Sequence, residues 1–167
     1  MRLPKSAHTA RSWRIHELVG DLDLEDVWAL PTPGGPDDFP RLVRLLSGFD
    51  PAQSSSAAVR ALFAIREKVG EALGWEDAGA GTAPFRTLYL TDDEWAIETI
   101  NRTVHGVLHF GWVAEGTGTY RGQMAIYVKR NGLLGTAYMT AIKPFRYKIV
   151  YPRILAELER AWRGERT

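Results

Sequence analysis

The sequence predicts an α+β fold in which a curved antiparallel sheet packs on a long C-terminal helix. Two observations lead to this prediction. From Trp95 onward apolar and polar residues alternate, as expected of strands that bury one face. From Pro144 to Trp162 the apolar residues recur instead at the three- to four-residue spacing of a helix. The apolar faces of this sheet and this helix are expected to bury each other.

Composition limits both the class of protein and its partners. The 167 residues suffice for one domain with its own core, and we expect a single domain over residues 1–167. A formal net charge of +1 indicates no nucleic-acid partner. The chain has no cysteine, which excludes disulfides and thiolate chemistry and fits a reducing cytoplasm. No apolar run approaches the roughly 20 residues needed to span a bilayer. We therefore expect a soluble, cytoplasmic protein.

In the first half of the chain the pattern predicts one strand followed by extra helices. The alternation over residues 12–19 indicates strand 1, and the acidic residues after it indicate a short helix over residues 21–30. A proline- and glycine-rich loop follows. Asp38 can cap a second helix through residue 46, and an apolar stripe over residues 54–74 predicts a third and longer one.

The second half predicts four antiparallel strands and the closing helix. Asn131 and Gly132 form the strongest hairpin signal, because both central positions of that turn favour positive φ. Pro144 suits the first position of the last helix, and Pro152 is expected to kink it near residues 148–152. The strands are expected over residues 85–91, 95–114, 120–129 and 133–142.

Charged residues fall on the apolar face of the strand over residues 95–114. That face combines Glu98, Ile100, Arg102, Val104 and Leu108. Charges in such a place are rarely left unpaired. Glu98 and Arg102 are then either polar anchors inside a cavity, with Glu98 as an acid or base of raised pKa, or residues near the rim with cross-strand partners.

Two further groups of residues carry competing interpretations. His105 and His109 resemble a metal pair, but on a strand they are about 13 Å apart, so we expect no metal. Lys143, Arg146 and Lys148 crowd the start of the last helix. They either receive an anionic ligand group together with free backbone N–H groups or form a solvated basic turn.

Several stretches resemble a bacterial family of uncharacterised domains in the START-like superfamily, whose architecture is called the helix-grip fold. The stretches are WRIHEL (13–18), EDVWAL (25–30), Asp38-Phe39, AIREKVG (64–70), ETINRTVH (98–105) and KPFRYKIVYP (143–152). The resemblance covers nearly the whole chain. It implies a hydrophobic ligand cavity between the sheet and the final helix, and it implies no catalytic residues.

These observations favour a protein that binds a small hydrophobic molecule, which can carry an anionic group, and that needs no cofactor. One alternative is a cyclase- or dehydratase-like enzyme in which Glu98 or a tyrosine of the cavity transfers protons. Another is a structural domain whose cavity is filled by its own side chains. The expected ligand-binding residues are Glu98, Ile100, Arg102, Val104, Met124, Ile126, Met139, Arg146, Tyr147 and Tyr151.

Overall fold

The computed structural model describes residues 1–48, 85–100, 104–130, 144 and 146–164. In this part of the chain, six antiparallel strands form one curved sheet in the order β1-β2-β6-β5-β4-β3. The strands are β1 (Arg2–Leu3), β2 (Asp23–Gly34), β3 (Arg86–Leu90), β4 (Glu94–Ile100), β5 (Val104–Gly116) and β6 (Thr119–Arg130). The helices are α1 (Ser6–Thr9), α2 (Ile15–Leu18), α3 (Phe39–Ser47) and α4 (Tyr151–Gly164), with a short 3-10 turn at Pro36–Asp38 and a π-helical turn at Arg146–Val150. An α+β fold with a C-terminal helix is therefore correct.

The first two predicted elements are wrong, because their types are exchanged. Residues 12–19 contain helix α2, and residues 21–30 lie largely in strand β2. Strand β2 does not alternate, since Asp26 through Leu30 are all buried. A strand covered on both faces gives a continuous apolar run rather than an alternating one. The helices thus lie on both sides of β2 in sequence.

The single strand predicted over residues 95–114 is also wrong. It consists of β4 and β5, which pair antiparallel with Trp95 opposite Phe110 and Ile100 opposite His105. The chain reverses its direction between Ile100 and Val104, and the intervening sequence NRT has no glycine or proline to signal a turn. As a consequence Glu98 faces Val107 and lies on the opposite sheet face from Leu108.

The other elements agree with the predictions where they are described. Helix α3 and strands β3 and β6 lie within a residue or two of their predicted bounds. The predicted helix over residues 54–74 and the strand over residues 133–142 lie outside the described residues. Near the predicted kink, Pro152 has no N–H to donate to the carbonyl of Lys148, so the α-helical ladder cannot continue and a π-helical turn precedes α4.

Both faces of the sheet are covered. On what we call the helix face, Trp95 and Phe110 pack with Leu158 and Trp162 of α4. The other face, which we call the N-terminal face, is covered by residues 4–22, which we call the N-terminal cover. Its core includes Ala96, Val107 and Ala125 packed against Trp13 and Ile15. No described helix is long and apolar enough to cross a membrane.

Candidate functional site

Four of the expected ligand-binding residues meet where β2 and β6 lie under the C-terminal helical segment. Ile126 and Val128 of β6 form a buried cluster with Trp28 of β2. Met124, Tyr147 and Tyr151 pack against this cluster. We call this region the sheet–helix junction. It comprises Asp26, Trp28, Met124, Ile126, Val128, Tyr147, Tyr151 and Leu155.

The remaining expected residues do not join them in the described part of the chain. Glu98 lies on the N-terminal face, and Ile100 is exposed. Arg102 and Met139 lie outside the described residues, as do the side chains of Val104 and Arg146.

Glu98 takes part in an ion pair at the edge of the sheet. Its carboxylate accepts a hydrogen bond from Arg86 Nε at 3.0 Å, and His105 Nε2 lies 3.2 Å from the other oxygen. The hydrogen bond from Arg86, with a smaller one from His105, lowers the pKa of Glu98 although burial opposes the shift. An acid–base role for Glu98 requires a raised pKa, which is the opposite direction.

Asp26, which the sequence analysis treated as part of a helix start, supplies the buried charge of the junction. Its side chain is 0% exposed and forms an ion pair with Arg2 at 2.9 Å. The Tyr147 hydroxyl donates a hydrogen bond to the second carboxylate oxygen. The Arg2 guanidinium lies 4.7 Å from the centre of the Tyr147 ring, within range of a cation–π interaction. One cation therefore contacts a carboxylate and an aromatic face together.

Three aromatic rings close the junction. The ring centres of Trp28 and Tyr151 are 4.9 Å apart, and those of Tyr147 and Tyr151 are 5.9 Å apart. The buried indole N–H of Trp28 has no acceptor among the described residues. The rings touch one another, so the described side chains leave little space between them.

A separate groove of about 670 Å³ lies between α3 and the β3–β4 turn. Phe39, Val43 and Leu90 contribute apolar surface, whereas Asp37 and Arg44 are charged and exposed. This groove is not the expected cavity between the sheet and the final helix.

The N-terminal face buries a second polar group, which we call the histidine cluster. It comprises His8, Trp13, His16, Tyr89, Glu94, His109, Gln123 and Tyr127. The His8 ring centre is 5.0 Å from that of His109 and 5.1 Å from that of His16. His8 is 0% exposed and His109 is 1% exposed, so solvent does not reach either ring.

The hydrogen bonds of His8 define its neutral state. Nδ1 lies 3.0 Å from the amide oxygen of Gln123, and Nε2 lies 3.0 Å from the Tyr127 hydroxyl. A neutral ring that donates from Nδ1 and accepts at Nε2 satisfies both neighbours. Burial, together with the nearby charge of His109, lowers the pKa of His8 to about 4. Burial also raises the pKa of Tyr127 to about 12.

Glu94 is the acceptor at the centre of this cluster. One oxygen accepts from the Tyr89 hydroxyl at 2.8 Å and from His109 Nε2 at 3.0 Å, and the other accepts from the Arg14 backbone N–H at 3.1 Å. Burial raises the pKa of Glu94, but these three hydrogen bonds outweigh it and lower the pKa to about 2. Burial raises the pKa of Tyr89, as does its bond to Glu94. Burial lowers the pKa of His109, against the opposing effect of the hydrogen bond that His109 donates to Glu94.

Neither polar group has the geometry of a metal centre. Within the described ranges, no three histidine or carboxylate side chains are arranged to hold an ion. Both His8 nitrogens and Nε2 of His109 already have hydrogen-bond partners. The hydrogen bonds of His8 and of the Arg14 backbone N–H tie the N-terminal cover to the sheet.

Fold and sites together define an α+β domain with a sheet covered on both faces and a polar group buried on each. The chain belongs to a family described as "Protein of unknown function (DUF2867)", whose model matches residues 18–153. No curated protein and no solved structure matches the chain. The matched span contains the sheet–helix junction except Leu155, whereas His8 and Trp13 lie before it.

Proposed function

We propose that this protein binds a small, largely apolar molecule at the sheet–helix junction and does not catalyse a reaction. The observation that carries the proposal is a fully buried carboxylate, Asp26, two residues along the same strand from Trp28, whose buried indole N–H has no acceptor among the described residues. Both lie on an otherwise apolar sheet face beneath the last helical segment. Ligand sites are typically apolar surfaces with a few placed polar groups.

Stability alone does not account for these polar groups. A buried N–H without an acceptor costs about 1–3 kcal/mol. Replacing a buried ion pair by apolar residues is often neutral or stabilising, so such pairs are weak evidence of a stabilising role. A bound molecule that offers an acceptor to the Trp28 indole N–H would offset the first of these costs.

The backbone above the junction also supports binding. Tyr147 lies in the π-helical turn, and Tyr151 is the first residue of α4. Single π-helical turns are rare in proteins and occur frequently at functional sites. A small shift of this turn would move Tyr147 away from Trp28 and admit a ligand between the rings. The proposal includes the helix-grip, START-like assignment, a cytoplasmic location and the absence of a nucleic-acid partner.

A structural domain with a filled core is the second candidate, and the contact between the aromatic rings favours it. The enzyme alternative has less support, because the pKa of Glu98 is lowered and its carboxylate lies away from the junction. The ligand-binding proposal and the filled-core alternative differ in whether a small molecule co-purifies with the protein.

Freshly purified protein is expected to carry a small molecule that is visible as a mass difference between native and denaturing mass spectrometry. The Ile126→Trp variant is expected to lose it, since the larger ring fills the junction from the sheet. Val43→Trp, which fills the groove beside α3, is the matched control and should retain it. Circular dichroism verifies that both variants fold. A clean mass for the wild type would contradict the proposal and favour a filled core, and loss in Val43→Trp alone would place the ligand in the groove.

A further inference from the structure

We infer that the molecule bound at the sheet–helix junction carries a cationic group, an ammonium or a guanidinium, which takes the place of Arg2 on Asp26 and Tyr147. This inference rests on the proposed function and adds the chemical class of the ligand. It differs from the anionic group expected from the basic residues near the start of the last helix.

Asp26 and the Tyr147 ring, which we call the receptor, already contact a cation, the guanidinium of Arg2. Its guanidinium is 2.9 Å from Asp26 and 4.7 Å from the Tyr147 ring centre. The Tyr147 hydroxyl donates to the same carboxylate, which fixes the ring beside it. A carboxylate paired with an aromatic face is a typical receptor for ammonium and guanidinium groups.

Arg2 is held less firmly than Asp26, the carboxylate with which it pairs. The Arg2 side chain is 54% exposed, whereas that of Asp26 is 0% exposed. Strand β1 has two residues and, among the described strands, pairs only with β2, at Trp28 and Val27. A half-exposed arginine gains little from its ion pair, because water solvates the guanidinium almost as well. A ligand cation attached to an apolar body would also bury that body against the rings of Trp28 and Tyr151.

The charge at the junction disfavours an anion. An anionic group beside the Asp26 carboxylate would meet like charge at close range. Lys148, one of the basic residues expected to receive an anion, has an exposed side chain. The buried charge that a ligand meets here is thus negative, and Arg2 is the positive group that it displaces.

Three ten-carbon probes test the charge preference: decylammonium, decanol and decanoate, each below its micelle-forming concentration. Isothermal titration calorimetry of the full chain at pH 7 is expected to give about tenfold tighter binding of the cation than of decanol, with decanoate weakest. Arg2→Gln removes the competing intramolecular cation and should tighten cation binding a further several-fold while leaving decanol unchanged. Asp26→Asn should remove the preference for the cation.

Arg14→Gln is the matched control, because Arg14 also lies over a tyrosine ring, at 5.0 Å from Tyr89, but on the other sheet face. It should leave all three affinities unchanged.

The same tightening in Arg14→Gln and Arg2→Gln would indicate a general charge effect and overturn the inference. Equal affinities for the three probes, or a preference for decanoate, would overturn the cation and leave the binding function standing. Absence of binding by all three probes, in both the wild type and Arg2→Gln, would overturn the proposed function itself. Arg2→Gln decides the question even if Asp26→Asn does not fold.

Discussion

Replacing Glu94 by alanine is expected to lower the free energy of unfolding by about 3 kcal/mol or more. The substitution leaves the Tyr89 hydroxyl, His109 Nε2 and the Arg14 backbone N–H without their acceptor. Tyr89 and His109 are buried, so water cannot easily replace the lost carboxylate. Urea unfolding followed by tryptophan fluorescence at pH 7 measures the loss.

Glu98→Ala is the matched control for this substitution. Glu98 lies four residues along the same strand, on the same face, and also pairs with a histidine. Its partners remain solvated, however, since the side chains of Arg86 and His105 are 74% and 26% exposed. The expected loss is below about 1 kcal/mol. Equal losses for the two variants would contradict a special role for the buried cluster.

The parts of the fold that carry local signals could be predicted from the sequence. Strand β6 ends at the Asn131-Gly132 turn signal, and the apolar stripe of the last helix and the effect of Pro152 are visible in the residues themselves. Strand β2 could not be recognised in this way, because both of its faces are buried and its acidic residues resemble a helix start. This misassignment also hid Asp26, since a helix-capping carboxylate is expected in solvent.

The apolar residues of the sheet–helix junction could be predicted from the sequence, but their polar partners could not. Met124, Ile126, Tyr147 and Tyr151 are brought together as expected, because a sheet and its covering helix bury their apolar faces against each other. Their polar partners come from β1 and β2, roughly a hundred residues away in sequence, and no local pattern relates Arg2 or Asp26 to Tyr147. Long-range pairing of this kind depends on the strand order, which periodicity does not determine.

The sequence contains a signal for part of the histidine cluster. Glu94 and Glu98 are four apart, and so are His105 and His109, on either side of residues 101–103. In an antiparallel hairpin this spacing places the outer glutamate near the outer histidine and the inner near the inner, which is the observed pairing. Treating residues 95–114 as one strand removed this relationship. His8 adds a third ring from a part of the chain that only tertiary structure brings near.

Acidification from pH 7 to pH 4 is expected to destabilise the protein through His8 by up to about 3 kcal/mol. The pKa of His8 is about 4 in the folded state, against about 6.5 for an ordinary histidine. The unfolded chain therefore binds a proton first as the pH falls below 6.5, and the balance shifts towards unfolding until the folded ring also titrates near pH 4. His109, whose pKa is lowered as well, contributes with the same sign.

The pH window separates the histidines from Glu94. The pKa of Glu94 is lowered to about 2, so its contribution to stability is fully present above pH 4.5 and is lost only below it. Between pH 6.5 and 4.5 the change thus comes from the histidines. Urea unfolding of the wild type and of His8→Gln across this interval should show a clearly smaller pH dependence in the variant. This difference in slope holds whatever the variant's absolute stability.

His105→Gln provides the control, because His105 lies on the same sheet face but is partly exposed and pairs with Glu98. Its slope should match that of the wild type. Full pH dependence of stability in His8→Gln would contradict the prediction. The neutral His8 held between Gln123 and Tyr127 would then not be the group that resists protonation. The acid sensitivity would have to come from His109 instead. If it lost most of the dependence, the N-terminal cover would be held in place by a ring that must remain neutral, and acid would release that cover first.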